Sequence, residues 1–274
     1  MFEKAAVARK MGKLIGKEGE TMKKILIAGG SGVIGRILAK GLSPEFQVAV
    51  LDKERCEGGF ESYQADASSY PDLVKHIPND TDVLVNLLAV KIKHDVLDID
   101  EFEKMTDVFY RASYYLYRAA VELGIKKVIF ASSNHVTDVY EENGRSLLGR
   151  EITTQDYPKS KKLYGVLKLT SENIGHLFYL ENKLSVINLR IGTVAENETG
   201  ILHEKERTNK TLLSHTDLLK IFKAAIETDI GYGTYYAVSD NPGKPWSIES
   251  AINELGYTPE MNTRDLLKEK EDGQ

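Results

Sequence analysis

The strongest constraint in this 274-residue sequence is a single turn. The apolar, β-branched run Lys23–Ala28 (KKILIA) leads directly into Gly29-Gly30-Ser31-Gly32-Val33-Ile34-Gly35, and a helical pattern follows to Leu42. A strand that enters a helix through this G-x-x-G-x-x-G spacing has little freedom of local geometry. Gly29 permits the tight turn, Gly32 lets the backbone approach a bound group, and Gly35 lets the helix pack closely on the strand. The first helical turn, at Val33, Ile34 and Gly35, offers free N–H groups and partial positive charge, which suit a diphosphate.

The strand–helix rhythm continues down the chain. Strands are expected at 46–51 (FQVAVL), 61–65 (ESYQA), 82–89 (DVLVNLLA), 126–132 (KKVIFAS) and 184–190 (LSVINLR), with helices at 100–123 and 160–181. Nearly continuous apolar strands separated by helices imply a parallel sheet covered on both faces, so the fold class is α/β, a doubly wound Rossmann-type sheet. After Arg190 the alternation weakens, leaving a helix near 215–228 and the run TYYAV at 234–238. The expected organisation is an extension over 1–21, partly helical and flexible, a nucleotide-binding domain over 22–190, and a small substrate-binding lobe over 191–274.

Composition removes several function classes. With 36 Lys and Arg against 41 Asp and Glu, the net charge is −5, which disfavours nucleic acid and anionic membranes as partners. Cys56 is the only cysteine, so no internal disulfide or multi-cysteine zinc site can form, and a reducing cytoplasm is expected. No apolar run reaches the roughly 20 residues that cross a bilayer. The six histidines lack metal-ligand spacing, and Ser133 lacks the G-x-S-x-G elbow of a hydrolase.

Two further features give the glycine turn a chemical context. Asp52 ends the second strand, where a carboxylate accepts both hydroxyls of a ribose and repels a 2′-phosphate. NAD is therefore expected rather than NADP, although Lys53 and Arg55 soften the preference. Asp66 either reaches an adenine amino group or caps a helix starting at Ser68. Ala67, Leu88 and Ala89, at neighbouring strand ends, complete the expected cofactor-binding set. Tyr164 and Lys168 stand four apart on one helix face, after a strand that ends in Ser132-Ser133-Asn134-His135. Both elements deliver polar groups to the carboxyl edge of the sheet, where such folds bind ligands. A tyrosine of ordinary pKa ~10 is a poor base, but a nearby ammonium lowers it, each unit worth roughly 1.4 kcal/mol. Ser133 is placed to orient a reacting hydroxyl.

The glycine turn, Asp52, Asp66, Ser133 and Tyr164-Gly-Val-Leu-Lys168 together resemble the extended short-chain dehydrogenase/reductase (NAD-dependent epimerase/dehydratase) superfamily. Within it, FASSNHV (130–136), LRIGTV (189–194), LSHTDL (213–218) and GYTPEMNTRD (256–265) are similar to uronate dehydrogenases. That resemblance implies NAD-dependent oxidation of the C1 hydroxyl of cyclic galacturonate or glucuronate to a lactone. Tyr164 would be the acid/base, Lys168 the ribose ligand and pKa modulator, and Ser133 the substrate orienter. Asn134, His135 and Thr193 would contact the sugar, and Arg207 would take its carboxylate bidentately. Lys91 stands where the family places a substrate-binding serine, and Phe109 where the superfamily often has an asparagine. The resemblance also implies a homodimer through the 100–123 and 160–181 helices. Two other readings stay open: a nucleotide-sugar epimerase or dehydratase that retains its NAD, and a non-catalytic NAD-binding regulator.

Overall fold

Alternate side chains of the first strand part company: Ile25 and Ile27 join one apolar core, Leu26 and Ala28 another. A strand buried on both faces needs helices on both sides. The computed structural model, which describes residues 22–272 apart from Glu57, His94, Lys183, His203 and Lys205, has that layout. The extension proposed for 1–21 lies outside the described residues.

The strands in chain order are β1 (Lys24–Ala28), β2 (Gln47–Asp52), β3 (Glu61–Gln64), β4 (Val83–Asn86), β5 (Lys127–Ser133), β6 (Glu141–Glu142), β7 (Arg145–Ser146), β8 (Ser185–Ile191) and β9 (Tyr232–Ala237). Seven of them form one sheet in the order β3-β2-β1-β4-β5-β8-β9, and every pairing in it is parallel. β6 and β7 form a separate antiparallel hairpin. β1 pairs with β2 on one side and β4 on the other, so strand order reverses there and opens a crevice at the carboxyl edge. The helices Val33–Leu42, His215–Glu227 and Glu249–Leu255 cover one face. Tyr70–His76, Ser113–Glu122 and Leu163–Asn182 cover the other.

Three expectations change in the folded chain. The long helix expected at 100–123 runs continuously over 99–122, but it is wound as a π-type segment at Thr106–Ala112 between Ile99–Met105 and Ser113–Glu122. Within the π-type segment the Phe109 carbonyl accepts the Ser171 hydroxyl of the neighbouring helix. The helix expected from 160 begins at Leu163, because the Ser160 hydroxyl turns the chain by bonding to Lys162. The division at Arg190 also fails as a boundary of the sheet. Arg190 lies inside β8, and beyond it the His215–Glu227 helix and β9 complete the same sheet, with Ile187 opposite Gly233 and Ile191 opposite Ala237. The polar stretch between residues 192 and 214 conceals this last crossover. What stands outside the sheet is that stretch and the chain after Val238. Among the described residues no helix is long and apolar enough to cross a membrane.

Candidate active site

The glycine turn has the geometry its spacing implies. Gly29 adopts φ +90°, and a Cβ there would lie 2.8 Å from the Leu87 carbonyl carbon. At Gly35 a Cβ would come within 2.5 Å of the Gly29 oxygen and 2.7 Å of Gly30, so the helix can approach the loop only through a glycine. At Gly32 the same atom would meet nothing nearer than the Gly29 oxygen at 3.5 Å. That position faces open space, and no side chain caps the helix it begins. An open, uncapped helix start beside a glycine is the shape that accepts a diphosphate, so these residues fit the dinucleotide that the sequence implies. Gly35→Ala is expected to destabilise the fold by about 1–3 kcal/mol through overpacking, and to abolish NADH binding. Urea unfolding and NADH fluorescence titration read the two effects.

Asp52 sits at the end of β2 beside this turn. Its Oδ2 accepts from the Ser31 N–H at 3.0 Å and the Ser31 hydroxyl at 2.6 Å, while Oδ1 accepts from the Glu54 N–H at 3.2 Å. The carboxylate thus braces the glycine turn and keeps acceptor capacity for hydroxyls. Asp66 caps no helix; its Oδ1 closes a local turn by accepting the Ser68 N–H at 2.8 Å and the Ser68 hydroxyl at 2.6 Å, and these bonds hold its pKa below the usual carboxylate value. The helix beyond it starts at Tyr70, not Ser68. Ala67 is buried nearby, and Leu88 and Ala89 follow β4.

The end of β5 and the Leu163–Asn182 helix bring Ser133, Tyr164 and Lys168 together. The Ser133 hydroxyl stands beside the Tyr164 phenol and favours its ionised form. Lys168 is buried, with its Nζ donating to the Ala131 carbonyl at 2.7 Å. That ammonium lies 5.8 Å from the Tyr164 ring centre, 4.8 Å from that of Phe109 and 4.9 Å from that of Phe130. Phe109 also meets Tyr164 edge-on at 5.2 Å, so an aromatic wall occupies the side where an asparagine would stand in the superfamily pattern.

The electrostatics differ from the expectation of a phenol lowered by its lysine. Burial pushes the Tyr164 phenol up, and the Ser133 hydroxyl offsets only part of that. Burial also drives Lys168 down to about 7, against a pull upward from Glu172. An ammonium depressed on folding makes the folded chain bind fewer protons than the unfolded one between pH 7 and 10.5. Stability at this site therefore rises with pH through that window and is lowest below it. The stability of Lys168→Met relative to wild type is expected to fall as pH rises from 7 to 10, by up to about 1.4 kcal/mol per unit. Denaturant melts at three pH values check this, and a pH-independent difference would mean that the ammonium is solvated.

A buried polar network underlies these groups. Glu172, one helical turn beyond Lys168, accepts the Ser132 hydroxyl and pairs with Arg190 through Nε at 3.0 Å and Nη2 at 2.8 Å. Arg190 continues to the Tyr236 hydroxyl at 3.3 Å, Tyr236 to the Thr137 hydroxyl at 2.7 Å, and Trp246 Nε1 donates to Thr137 at 3.1 Å. This chain of bonds ties the 3₁₀ turn Asn134–Tyr140 to β8, β9 and the buried Trp246. Sequence reasoning assigned none of these residues a role. The one available signal was the four-residue spacing from Lys168 to Glu172.

The expected substrate contacts meet different fates. Asn134 is 2% exposed and its Nδ2 has no hydrogen-bond partner, a buried donor of the kind that a ligand satisfies. His135 is half-buried, edge-on to Tyr164 at 5.8 Å, with its Nδ1 2.9 Å from Asp138 Oδ2. Asp138 also accepts the Lys161 N–H at 2.6 Å. Its burial would raise its pKa, but the bonds from His135, Lys161 and Ser160 hold it below the ordinary value. The Thr193 hydroxyl shares a 2.8 Å bond with Thr211 at the start of the polar stretch. Lys91 is exposed on the segment after β4. Arg207 is not a free fork: Nε lies 3.1 and 3.2 Å from the two carboxylate oxygens of Glu141, and Nη2 lies 3.1 Å from one of them.

The sequence pattern of the NAD dependent epimerase/dehydratase family matches residues 25–213. The chain is 74% identical over 252 residues to the uncharacterized protein YtbQ of Bacillus subtilis (strain 168), covering 92% of this chain and 100% of that protein. It is 34% identical over 167 residues to the NAD-dependent glucose-6-phosphate dehydrogenase of Haloferax volcanii, 57% of this chain and 61% of that one. Identity to the uronate dehydrogenase of Pseudomonas syringae pv. tomato is 25% over 256 residues, 92% of this chain and 86% of that one. Among solved structures, uronate dehydrogenase from Agrobacterium tumefaciens shares the fold with a TM-score of 0.77 at 22% identity, over 92% of this chain and 90% of that one.

Proposed function

The chain belongs to the NAD dependent epimerase/dehydratase family, and from that premise we propose that it is an NAD-dependent dehydrogenase. It oxidises the C1 hydroxyl of a cyclic sugar to a lactone, with galacturonate, glucuronate and the corresponding aldoses as the candidate substrates. The observation that carries this reading is the meeting of Ser133, Tyr164 and Lys168 at the end of β5, with the Lys168 ammonium 5.8 Å from the Tyr164 ring centre. An epimerase needs the same trio. The reading as a net oxidation draws its support from relatives named for sugar dehydrogenation.

Bound NAD supplies a hydride acceptor. Its diphosphate would lie at Gly32, Val33, Ile34 and Gly35, its adenosine ribose at Asp52, and its second ribose at Tyr164 and Lys168. The rest is proton chemistry by the chain's own groups. Tyr164 Oη takes the proton of the C1 hydroxyl, which the Ser133 hydroxyl holds in line. The buried phenol resists ionisation, so a positive charge nearby is what makes it a base near neutral pH. Glu172 serves that end by favouring the charged form of Lys168 inside a site that would otherwise neutralise it. Phe109, Phe130 and the closely packed β5 end keep water from the ammonium. The unpartnered Asn134 amide and the His135 ring would read sugar hydroxyls.

The test is NADH absorbance with NAD and a panel of galacturonate, glucuronate, galactose, glucose and arabinose. Formation of NADH with a lactone product is the expected result. The reading falls if purified protein releases tightly held NAD, is stabilised by UDP-sugars and forms no NADH with any member of the panel. A second copy of the chain is the proposed occupant of the apolar face carrying Tyr110, Tyr114, Val166 and Leu177, all exposed here. Light scattering should then give twice the 30.6 kDa chain mass. The proposed location is the cytoplasm.

A further inference from the structure

Arg207 is the guanidinium that would read a uronate's carboxylate, and its fork is already filled from within the chain. Glu141 follows directly on the 3₁₀ turn that carries Asn134 and His135, and its side chain is 6% exposed. Its carboxylate takes three contacts from Arg207 and a fourth hydrogen bond from the Gly144 N–H. The β6–β7 hairpin closes around this pair through positive φ at Asn143 and Gly144, and a Cβ at Gly144 would approach Arg207 Cα to 3.2 Å. The Lys161 ammonium fastens the hairpin from the other side, donating to the Glu141 carbonyl at 2.8 Å. The guanidinium also lies over the buried Trp246 ring at 5.8 Å.

A substrate carboxylate could use that fork only by evicting Glu141. Eviction would leave a buried carboxylate holding a single N–H, and stripping a buried charge of its partner is strongly unfavourable. The charged groups around the pair are of both signs, and the Lys161 ammonium is already engaged by the Glu141 carbonyl. Asp138 stands behind His135, and the exposed Lys91 faces solvent screening. The groups left for a sugar are neutral ones suited to hydroxyls: the unpartnered Asn134 amide, the His135 ring nitrogen not bound to Asp138, and the Thr193 hydroxyl.

We propose that the substrate is an uncharged cyclic aldose, and that Glu141 sets this preference by occupying Arg207. The inference rests on the sugar-oxidising reading and narrows it to one class. On the resemblance to uronate dehydrogenases Arg207 would hold a ligand's carboxylate, and in this chain it holds that of Glu141. Glu141 thereby acts as a specificity-determining residue without touching the reacting carbon.

Matched sugars that differ only at C6 test it: galactose against galacturonate, and glucose against glucuronate. Each is titrated calorimetrically into the protein saturated with NADH, and each is assayed for turnover with NAD. The aldose is expected to bind at least tenfold more tightly than its matched acid. E141Q, which frees the arginine's charge, is expected to move that ratio at least tenfold toward the acid. Equal or tighter binding of the acid by wild type overturns the inference, and that ratio decides the matter even if E141Q folds poorly. If the aldose binds without turnover, the inference stands and the oxidation reading fails. If neither member of a pair binds, both fall.

Discussion

Tyr164→Phe should lower kcat by about 10²–10⁴-fold and leave NADH affinity within a few-fold of wild type. The substitution keeps the ring that packs edge-on against Phe109 and His135 and removes only the phenol oxygen. Stability should change little, because the Ser133 hydroxyl retains a contact to Asn134 Oδ1 at 3.5 Å and caps the His135 N–H at 3.2 Å. The pH profile should carry a matching signature. Lys168 is the group driven down to about 7, while burial raises the phenol. The proton that leaves this pair near neutrality forms the base, so wild-type turnover should climb with pH from 6 toward the neutral range. The residual rate of the Phe variant should not follow that climb. Stopped-flow NADH absorbance across pH 6–10 measures both, and wild-type turnover in the variant would remove Tyr164 from the chemistry.

Arg190→Met should be strongly destabilising. It leaves the Glu172 carboxylate buried with only the Ser132 hydroxyl as a donor, a situation that costs about 3–5 kcal/mol. At roughly 2–4 °C per kcal/mol for a chain of this size, Tm should fall by about 6–20 °C. The double change Glu172→Leu with Arg190→Met removes both charges together and should recover most of that loss. It should not recover activity. Without Glu172 the Lys168 ammonium loses the group that favours its charge, and the Arg190–Tyr236–Thr137 bonds no longer anchor the turn bearing Asn134 and His135. A double variant that melts like wild type yet turns over slowly would separate the two roles of this network. One that keeps full activity would show that the network serves only the fold.

The glycine turn, the parallel sheet and the pairing of Tyr164 with Lys168 were legible from residue order because each is set by local spacing. Period-two burial in β1 sends Ile25 and Ile27 one way and Leu26 and Ala28 the other, whatever lies beyond. A four-residue step on a helix puts two side chains on one face before any tertiary contact exists. Ser133 was readable because a strand end in this architecture has only one edge to go to. β9 was less so, since a long polar stretch separates it in sequence from the strand it pairs with. The π-type turn at Thr106–Ala112 carries no local signal; the Phe109 carbonyl inside it accepts the Ser171 hydroxyl of a neighbouring helix.

What the sequence alone determined is the doubly wound sheet, the glycine turn and the grouping of Ser133, Tyr164 and Lys168, all products of short-range periodicity and steric permission. The tertiary structure decided how the charges are spent. Glu141 meets Arg207 across 66 residues of chain, Arg190 meets Tyr236 across 46, and Thr137 meets Trp246 across 109. No local rule chooses among such partners. Each buried charge takes whichever opposite group the packed layers bring within reach, and that choice exists only once the layers have closed.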